Sequence, residues 1–443
     1  MERRNTNFSF VFHFYRYVLL TVSSMIFVSL YIVIDTYFVA DVLGADGLAA
    51  LNIAIPIFSL VQGTALLLGI GGSSRYSIFK GEGKIEEANR VYTNSLYMAI
   101  LFSICFFLCG FFGSSFITSV LGTEDSIFEL TETYIRWLLL GSPIFIFNTF
   151  LIDFIRNDDA PKLTTIAVLV SSLSNIVLDY LFMYIFKMGI LGAVLATVLA
   201  ASFSIMTLLS HIVRKKNGFS LILCQPDFRL GFKIFSLGSA VFLNEVSVAI
   251  VMIAFNALLL SMGGKKAVAA YGIVSNISLV FISILNGIGQ GAQPLLSSSY
   301  GRGDSELVKK YVKLASITAV ITGLSLYLIL ILNRVRAVGL FNGDNDISLG
   351  VLAVEALVIY FFALAPAAFN IVSINIFISV GRAKEAQVLT FLRGLLLILP
   401  LSILLSKLFN IRGLWLSYPL CDLILLVPST MLIFKMLKKS ECV

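Results

Sequence analysis

Charged residues are scarce in this chain. Only 13% of its 443 residues are Asp, Glu, Lys or Arg, whereas 58% are hydrophobic. Soluble domains carry about 25% charged and about 45–50% apolar residues. A soluble fold of this length could not cover so much apolar surface, so the composition predicts a helical protein that crosses a membrane many times.

Histidine and cysteine are also rare, which excludes several kinds of chemical site. The two histidines, His13 and His211, cannot form a multi-histidine metal centre, and the five cysteines lack metal-binding spacing. The glycine-rich stretches GIGGSSR and GIGQGAQ lack the lysine of a phosphate-binding loop. We therefore expect no enzyme, no cofactor and no ATP-driven pump.

Long apolar runs are what the chain has in abundance, and there are twelve of them. Each is long enough to cross a bilayer, which takes about 20 residues. Lys and Arg fall mainly in the loops of one side, 22 against 8, so we expect a cell-membrane protein with both termini in the cytoplasm. The net charge of +7 then reflects topology, and no nucleic-acid partner is expected. The predicted spans are 11–40, 48–74, 91–113, 130–152, 162–183, 189–213, 233–262, 268–299, 312–333, 349–379, 386–408 and 412–436.

The two halves of the chain resemble each other. At an offset of 220 residues, Gly69 and Gly71 match Gly289 and Gly291, and loop residues match as well. Because each half has an even number of spans, six, both halves run in the same direction, as in transporters with parallel repeats. The predicted domains are an N-lobe (1–213), a cytoplasmic linker (214–232) and a C-lobe (233–443).

Five carboxylates fall within apolar runs: Asp35, Asp179, Glu245, Glu355 and Asp422. A charge at mid-depth costs at least about 2.5–3.5 kcal/mol, so an ionisable residue there usually has a function. Glu355 is near the start of its span, where a solvated position at the membrane surface explains it equally well.

Asp35 and Asp179 fall at a similar predicted depth, in the outer half of the N-lobe. Asn175 lies one helical turn from Asp179, and Thr197 in span 6 falls at the same depth. Two carboxylates, an amide oxygen and a hydroxyl form a set of oxygens that suits a hard cation. Binding of a proton or Na⁺ would relieve the repulsion between the carboxylates and let the helices close. The alternative is a hydrogen-bond network that only joins helices.

Three stretches resemble a known family. The stretches YIVIDTYFVADVLGADGLAALNIAIPIF, the GxG loop followed by EEANR, and GIGQGAQPLLSSSYGRGD are similar to the multidrug and toxic compound extrusion (MATE) family, over essentially the whole chain. The resemblance implies an all-α polytopic membrane protein, with twelve transmembrane helices in two six-helix lobes forming a V. It also implies export of cationic or amphipathic small molecules in exchange for H⁺ or Na⁺. We expect a monomer whose partners are lipophilic, cationic small molecules and the lipid bilayer.

The resemblance extends to single residues. The family's cation-binding positions fall on Asp35, Asn175, Asp179 and Thr197, with a tyrosine on Tyr31; in relatives they bind a proton, sodium or both. Many members also carry a proline in span 1 and in span 7. Leu20 and Ala240 stand near those positions here, which calls a proline-centred bend of span 1 into question.

The C-lobe lacks a counterpart of Asp35, because Phe255 occupies the matching position. It has Glu245 instead, at mid-depth in span 7. Some relatives carry a glutamate there and an aspartate in span 10, near Asn370 of this chain. A structural contact of Glu245 with Asn244 or with a hydroxyl of the C-lobe is an equally good interpretation. The candidate substrate or secondary proton site therefore comprises Glu245, Asn244, Asn256, Asn370 and Asp422.

Two other functions stay open on the sequence alone. A lipid-linked saccharide flippase of a related superfamily would need extra spans and a basic cavity. A membrane-embedded enzyme would need a clustered nucleophile and base, or a metal set. The aromatic content of 37 Phe, 16 Tyr and 2 Trp favours a cavity that attracts lipophilic cations.

Overall fold

The computed structural model describes residues 2–341 and 346–439, and every regular element in these ranges is helical. The extreme termini, which the charge distribution predicts to be cytoplasmic, lie outside the described residues. The α-helices are Glu2–Gly81, Ile85–Val120, Asp125–Leu140, Ser142–Asn157, Pro161–Asp179, Ile190–Val213, Phe228–Gly301, Ser305–Gly339, Ile347–Tyr360, Leu364–Ser379, Ala383–Phe391 and Ile398–Lys439. The shorter elements are π-helical turns at Tyr180–Ile185 and Leu392–Leu397 and a 3₁₀ turn at Phe361–Ala363.

The described residues contain twelve membrane-crossing segments, as predicted. Eight helical stretches are long and apolar enough to cross a membrane, and Asp125–Leu140 with Ser142–Asn157, bent by 48°, forms a ninth. Three of the eight are too long for one crossing; the 80 residues of Glu2–Gly81 would extend about 120 Å, against a hydrocarbon core of about 30 Å. Each of the three is divided by a residue with non-helical φ and ψ, namely Gly44, Gly264 or Asn410.

The internal repeat is visible in the backbone. Gly44 and Gly264, 220 residues apart, have almost the same left-handed conformation, with φ of 63° and 62°. Positive φ is uncommon for residues other than glycine, so its recurrence at matched positions is a specific signal. The other matched positions with positive φ are Gly83 with Gly303, Asp159 with Gly381, and Gly189 with Asn410. The predicted repeat is confirmed in its helix breaks and turns.

Matched glycines also bring helices into equivalent close contacts. A Cβ on Gly71 would lie 2.5 Å from the carbonyl oxygen of Ile234, and a Cβ on Gly291 would lie 2.8 Å from the Cα of Val18. Backbone atoms cannot move aside as a flexible side chain can. Both glycines therefore permit a helix crossing that a larger residue would prevent.

The described chain packs as two compact units. One contains Ile26–Val246, and the other contains the residues up to Met25 together with those from Ser247 onward. The divisions fall inside helices, in Glu2–Gly81 and in Phe228–Gly301. The lobes 1–213 and 233–443 were derived from the sequence repeat, and their assignment as domains stays a prediction.

In the unit formed by Ile26–Val246, one buried carboxylate holds several helix ends together. Asp158 Oδ1 accepts hydrogen bonds from Lys80 Nζ at 2.7 Å and from the hydroxyl of Tyr76 at 3.0 Å. Its Oδ2 accepts one from the backbone N–H of Gly218 at 2.6 Å and lies 3.3 Å from His211 Nε2. Asp158 therefore joins the ends of spans 2, 4 and 6 to the linker.

The linker continues as an extended segment along the helix Ile85–Val120 of the same unit. Phe219 is buried and stacks on Tyr92, with ring centroids 4.5 Å apart. Side chains of the helix then accept the linker's backbone N–H groups: Asn89 from Ser220, Thr93 from Ile222, and Asn94 from Asp227. The linker thus has a fixed path on this unit.

Replacement of Gly71 by alanine tests the close helix contact. The added methyl meets backbone atoms, so we expect a loss of about 1–3 kcal/mol in the free energy of unfolding and a lower melting temperature in detergent. Gly272→Ala is the control, because a Cβ at Gly272 meets nothing within 4 Å. Equal melting temperatures for the two variants would contradict the proposed crossing.

Candidate cation site

Three helices of the Ile26–Val246 unit carry the cation-site residues predicted from the sequence, the structure brings these residues together, and a fourth helix adds one more. Tyr31 and Asp35 are one turn apart on the first helix, and Asn175 and Asp179 are one turn apart at the end of Pro161–Asp179. Thr197 lies on Ile190–Val213. The fourth helix, Asp125–Leu140, contributes a residue that the sequence did not indicate, Tyr134.

The two carboxyl groups of the site are neighbours. Asp35 and Asp179 are close enough to interact with each other, and the hydroxyls of Tyr31 and Tyr134 are close enough to interact electrostatically with both. Asp179 and Asn175 are almost completely buried, at 0% and 1% exposure. Asp179 thus lies beside a second carboxyl group, that of the half-buried Asp35, with little access to water of its own.

Several buried oxygens of this site accept no hydrogen bond from the protein. Asn175 uses its amide N–H to bond Thr197 Oγ1 at 3.3 Å, which leaves its carbonyl oxygen free. The oxygens without a partner are Asp35 Oδ1, Asn175 Oδ1, Asp179 Oδ1 and Asp179 Oδ2. A structural network would satisfy such atoms, because a buried polar atom without a partner costs about 1–3 kcal/mol. The arrangement suits a bound cation better than a network that only joins helices.

The π-helical turn Tyr180–Ile185 follows directly after Asp179. Turns of this kind are frequent at functional sites. Within this turn, Tyr184 donates a hydrogen bond to Asp41 Oδ2 at 2.7 Å and stacks on Tyr180. The turn thereby fixes the end of span 5 against the end of span 1, next to the two carboxyls.

The donor set fits a hard cation better than a transition metal. Among the described residues there is no group of three or more His, Cys, Asp or Glu side chains that could hold a metal ion. Carboxylate, amide and hydroxyl oxygens are the ligands preferred by hard cations. Asp35, Asp179, Asn175 and Thr197 could therefore supply oxygens to Na⁺, or the two carboxyls could share a proton.

Part of the second candidate set lies in the same unit. Glu245 is half-buried on Phe228–Gly301 and contacts Asn244, which agrees with the structural interpretation without excluding a role in binding. The Cβ of Glu245 would lie 3.3 Å from a Cβ placed on Gly63, so this part of span 7 packs closely on span 2.

The remaining candidates belong to the other unit, and there Asp422 has a basic partner. Arg393 donates from Nε to Asp422 Oδ1 at 2.8 Å and from Nη2 to Oδ2 at 3.2 Å. Asn370 donates to the same carboxylate at 3.0 Å. Asn256 is half-buried and, among the described residues, makes no hydrogen bond with Asn370 or Asp422. The sequence signal that could have revealed Arg393 is its position inside an apolar run.

The helical fold, the internal repeat and the buried oxygen cluster together define the class, a multi-pass membrane protein with the architecture of a repeat-built transporter. The MatE family model matches residues 21–181 and 240–404, which is most of the chain. The chain belongs to the MatE family.

Curated relatives match along most of their length. The multidrug export protein MepA of Staphylococcus saprophyticus is 23% identical over 407 residues, covering 91% of this chain and 89% of that protein. MepA of Staphylococcus aureus is 23% identical over 389 residues, covering 87% of this chain and 84% of that protein.

Solved structures share the fold. A multidrug resistance MATE family transporter of the MOP superfamily, in an outward-facing conformation, superposes with a TM-score of 0.92 at 21% identity and covers 97% of this chain and 96% of that one. A MOP superfamily transporter from Pyrococcus furiosus, described as having a binding pocket of reverse polarity, superposes with a TM-score of 0.91. It is 21% identical and covers 97% of this chain and 96% of that one.

Sodium should stabilise the wild-type protein through the candidate site. At a tenfold excess over its dissociation constant, a bound ion adds about 1.4 kcal/mol to the free energy of unfolding. We expect the melting temperature in detergent to rise when NaCl replaces choline chloride at constant ionic strength. The rise should vanish in Asp179→Asn and persist in Asp46→Asn, since Asp46 is an exposed acid of the same unit. An equal rise in Asp179→Asn would place the ion elsewhere.

Proposed function

We propose that this chain is a secondary active multidrug efflux antiporter of the cell membrane. It exports cationic or amphipathic small molecules by alternating access, in exchange for H⁺, Na⁺ or both. The coupling ion binds at Asp35, Asp179, Asn175 and Thr197, with Tyr31 beside them. The observation that carries the proposal is the pairing of Asp35 with Asp179, because three of their four carboxyl oxygens are buried without a hydrogen-bond partner.

The arrangement explains how ion binding could be linked to a conformational change. Repulsion between Asp35 and Asp179 is strong where little water screens it. A bound cation or proton removes that repulsion and allows spans 1, 5 and 6 to pack closely. A ligand shifts a conformational equilibrium only by its difference in affinity for the two states, and this site provides such a difference.

The charges inside the spans favour a cationic substrate. The buried Arg156 and the half-buried Arg393 are paired with Asp153 and Asp422, so neither offers a free positive charge to a pyrophosphate group. Glu245 has an amide neighbour, Asn244, and no basic partner among the described residues. This pattern supports export of cations and argues against the flippase alternative.

Efflux from proteoliposomes tests the proposal. We expect a lipophilic cationic dye to be transported when a pH gradient or a sodium gradient is imposed, and the gradient that works identifies the coupling ion. Asp35→Asn should lower gradient-driven transport at least tenfold, because one of the two carboxylates is lost.

The control for this experiment is Asp46→Asn, an acid-to-amide change at an exposed position of the same unit. It should transport as the wild type does. Unchanged transport in correctly folded Asp35→Asn would refute the assigned coupling site. Dye movement without any gradient would refute the antiport mechanism itself.

A further inference from the structure

A second cluster of charged side chains lies in the unit that contains the residues from Ser247 onward. Unlike the Asp35–Asp179 site, this cluster includes a base. Arg393 binds both oxygens of Asp422, through Nε at 2.8 Å and Nη2 at 3.2 Å. The hydroxyl of Tyr418 accepts a further bond from Nη2 at 2.8 Å. This two-point geometry is specific to an arginine and a carboxylate.

The rest of the cluster holds both charged groups in place. Asn370, fully buried, donates from Nδ2 to the Asp422 carboxylate and to its backbone carbonyl. Tyr360 stacks on Tyr418 with ring centroids 4.4 Å apart and an interplanar angle of 5°. The π-helical turn that contains Arg393 is stabilised by a bond from Cys421 Sγ to the Arg393 carbonyl, at 3.5 Å.

The guanidinium group also covers the carboxylate. The side chain of Arg393 keeps 12% of its surface exposed, whereas that of Asp422 keeps 1%. An ion that approached Asp422 would have to displace an arginine that is tethered to the chain and bonded at two points. Asp35 and Asp179, by contrast, have no basic partner among the described residues.

From this contrast we infer that Arg393 is a built-in counter-ion that keeps protons and cations from Asp422 and so confines ion coupling to the Asp35–Asp179 site. Arg393 is thereby a residue that determines how many coupling ions are exchanged for each substrate molecule. The inference rests on the proposed antiport function and refines it. It predicts that removal of the arginine turns Asp422 into an additional proton-binding group.

Infrared difference spectroscopy of the full chain in detergent tests this directly. When the pH is lowered, Arg393→Gln should gain the carbonyl band of one protonated carboxylic acid that the wild type lacks. The band should be absent in Arg393→Gln/Asp422→Asn. Arg393→Lys, which keeps the positive charge, should resemble the wild type. Absence of the new band in folded Arg393→Gln would overturn the inference.

Transport stoichiometry provides the second measurement. In proteoliposomes, Arg393→Gln should raise the number of coupling ions exchanged per dye molecule by one. Asp422→Asn keeps the hydrogen-bonding shape of the cluster and should leave the number of coupling ions per dye molecule unchanged. This variant therefore tests the inference even if Arg393→Gln does not fold. A lower ratio in Asp422→Asn would make Asp422 a coupling residue and overturn the inference.

The two proposals fail in different ways. The proposed function is refuted if the wild type shows no gradient-driven transport, or if Asp35→Asn transports as the wild type does. The infrared comparison needs no transport, so the role of Arg393 stands or falls on the carboxylic-acid band of Arg393→Gln and its removal by Asp422→Asn.

Discussion

The cost of burying a charge governs how this protein is built. Inside a bundle of membrane-crossing helices, a carboxylate persists only with a base, with hydrogen-bond donors or with a bound ion. Asp158 has Lys80 and three further partners, and Asp422 has Arg393 and Asn370. Among the described residues, Asp35 and Asp179 have no basic partner, and three of their four carboxyl oxygens accept no hydrogen bond. A site that lacks such compensation is suited to respond to an ion from outside, which is why we propose that the coupling ion binds there.

The backbone features of the first half recur in the second half, whereas the charged residues within the spans do not. Helix breaks, positive-φ turns and close glycine contacts recur about 220 residues apart, because the backbone must turn and cross at equivalent places. The ionisable groups within the spans do not recur: Phe255 stands where Asp35 has its match, and the first half has no counterpart of the Arg393–Asp422 pair. The duplicated framework thus leaves each half free to carry its own charges.

Much of this could be predicted from the sequence, for identifiable reasons. The twelve spans, the repeat and the grouping of Asp35, Asn175, Asp179 and Thr197 depend on apolar length, glycine spacing and helical periodicity, which are local properties of the chain. Tyr134 and the partners of Asp422 depend on contacts between distant spans, which no local pattern specifies. Arg393 was visible as a charge in an apolar run, but its position near the end of that run concealed its partner. Which side chains pair between helices is therefore known only from the structure.

The residue ranges of the two compact units have a consequence for any attempt to divide the chain. The repeat separates at the linker, yet residues up to Met25 pack with those from Ser247 onward, and 228–246 pack with the first half. A chain cut at the linker would divide the residues of each compact unit between two polypeptides. We therefore expect that neither fragment is a module that could be exchanged on its own.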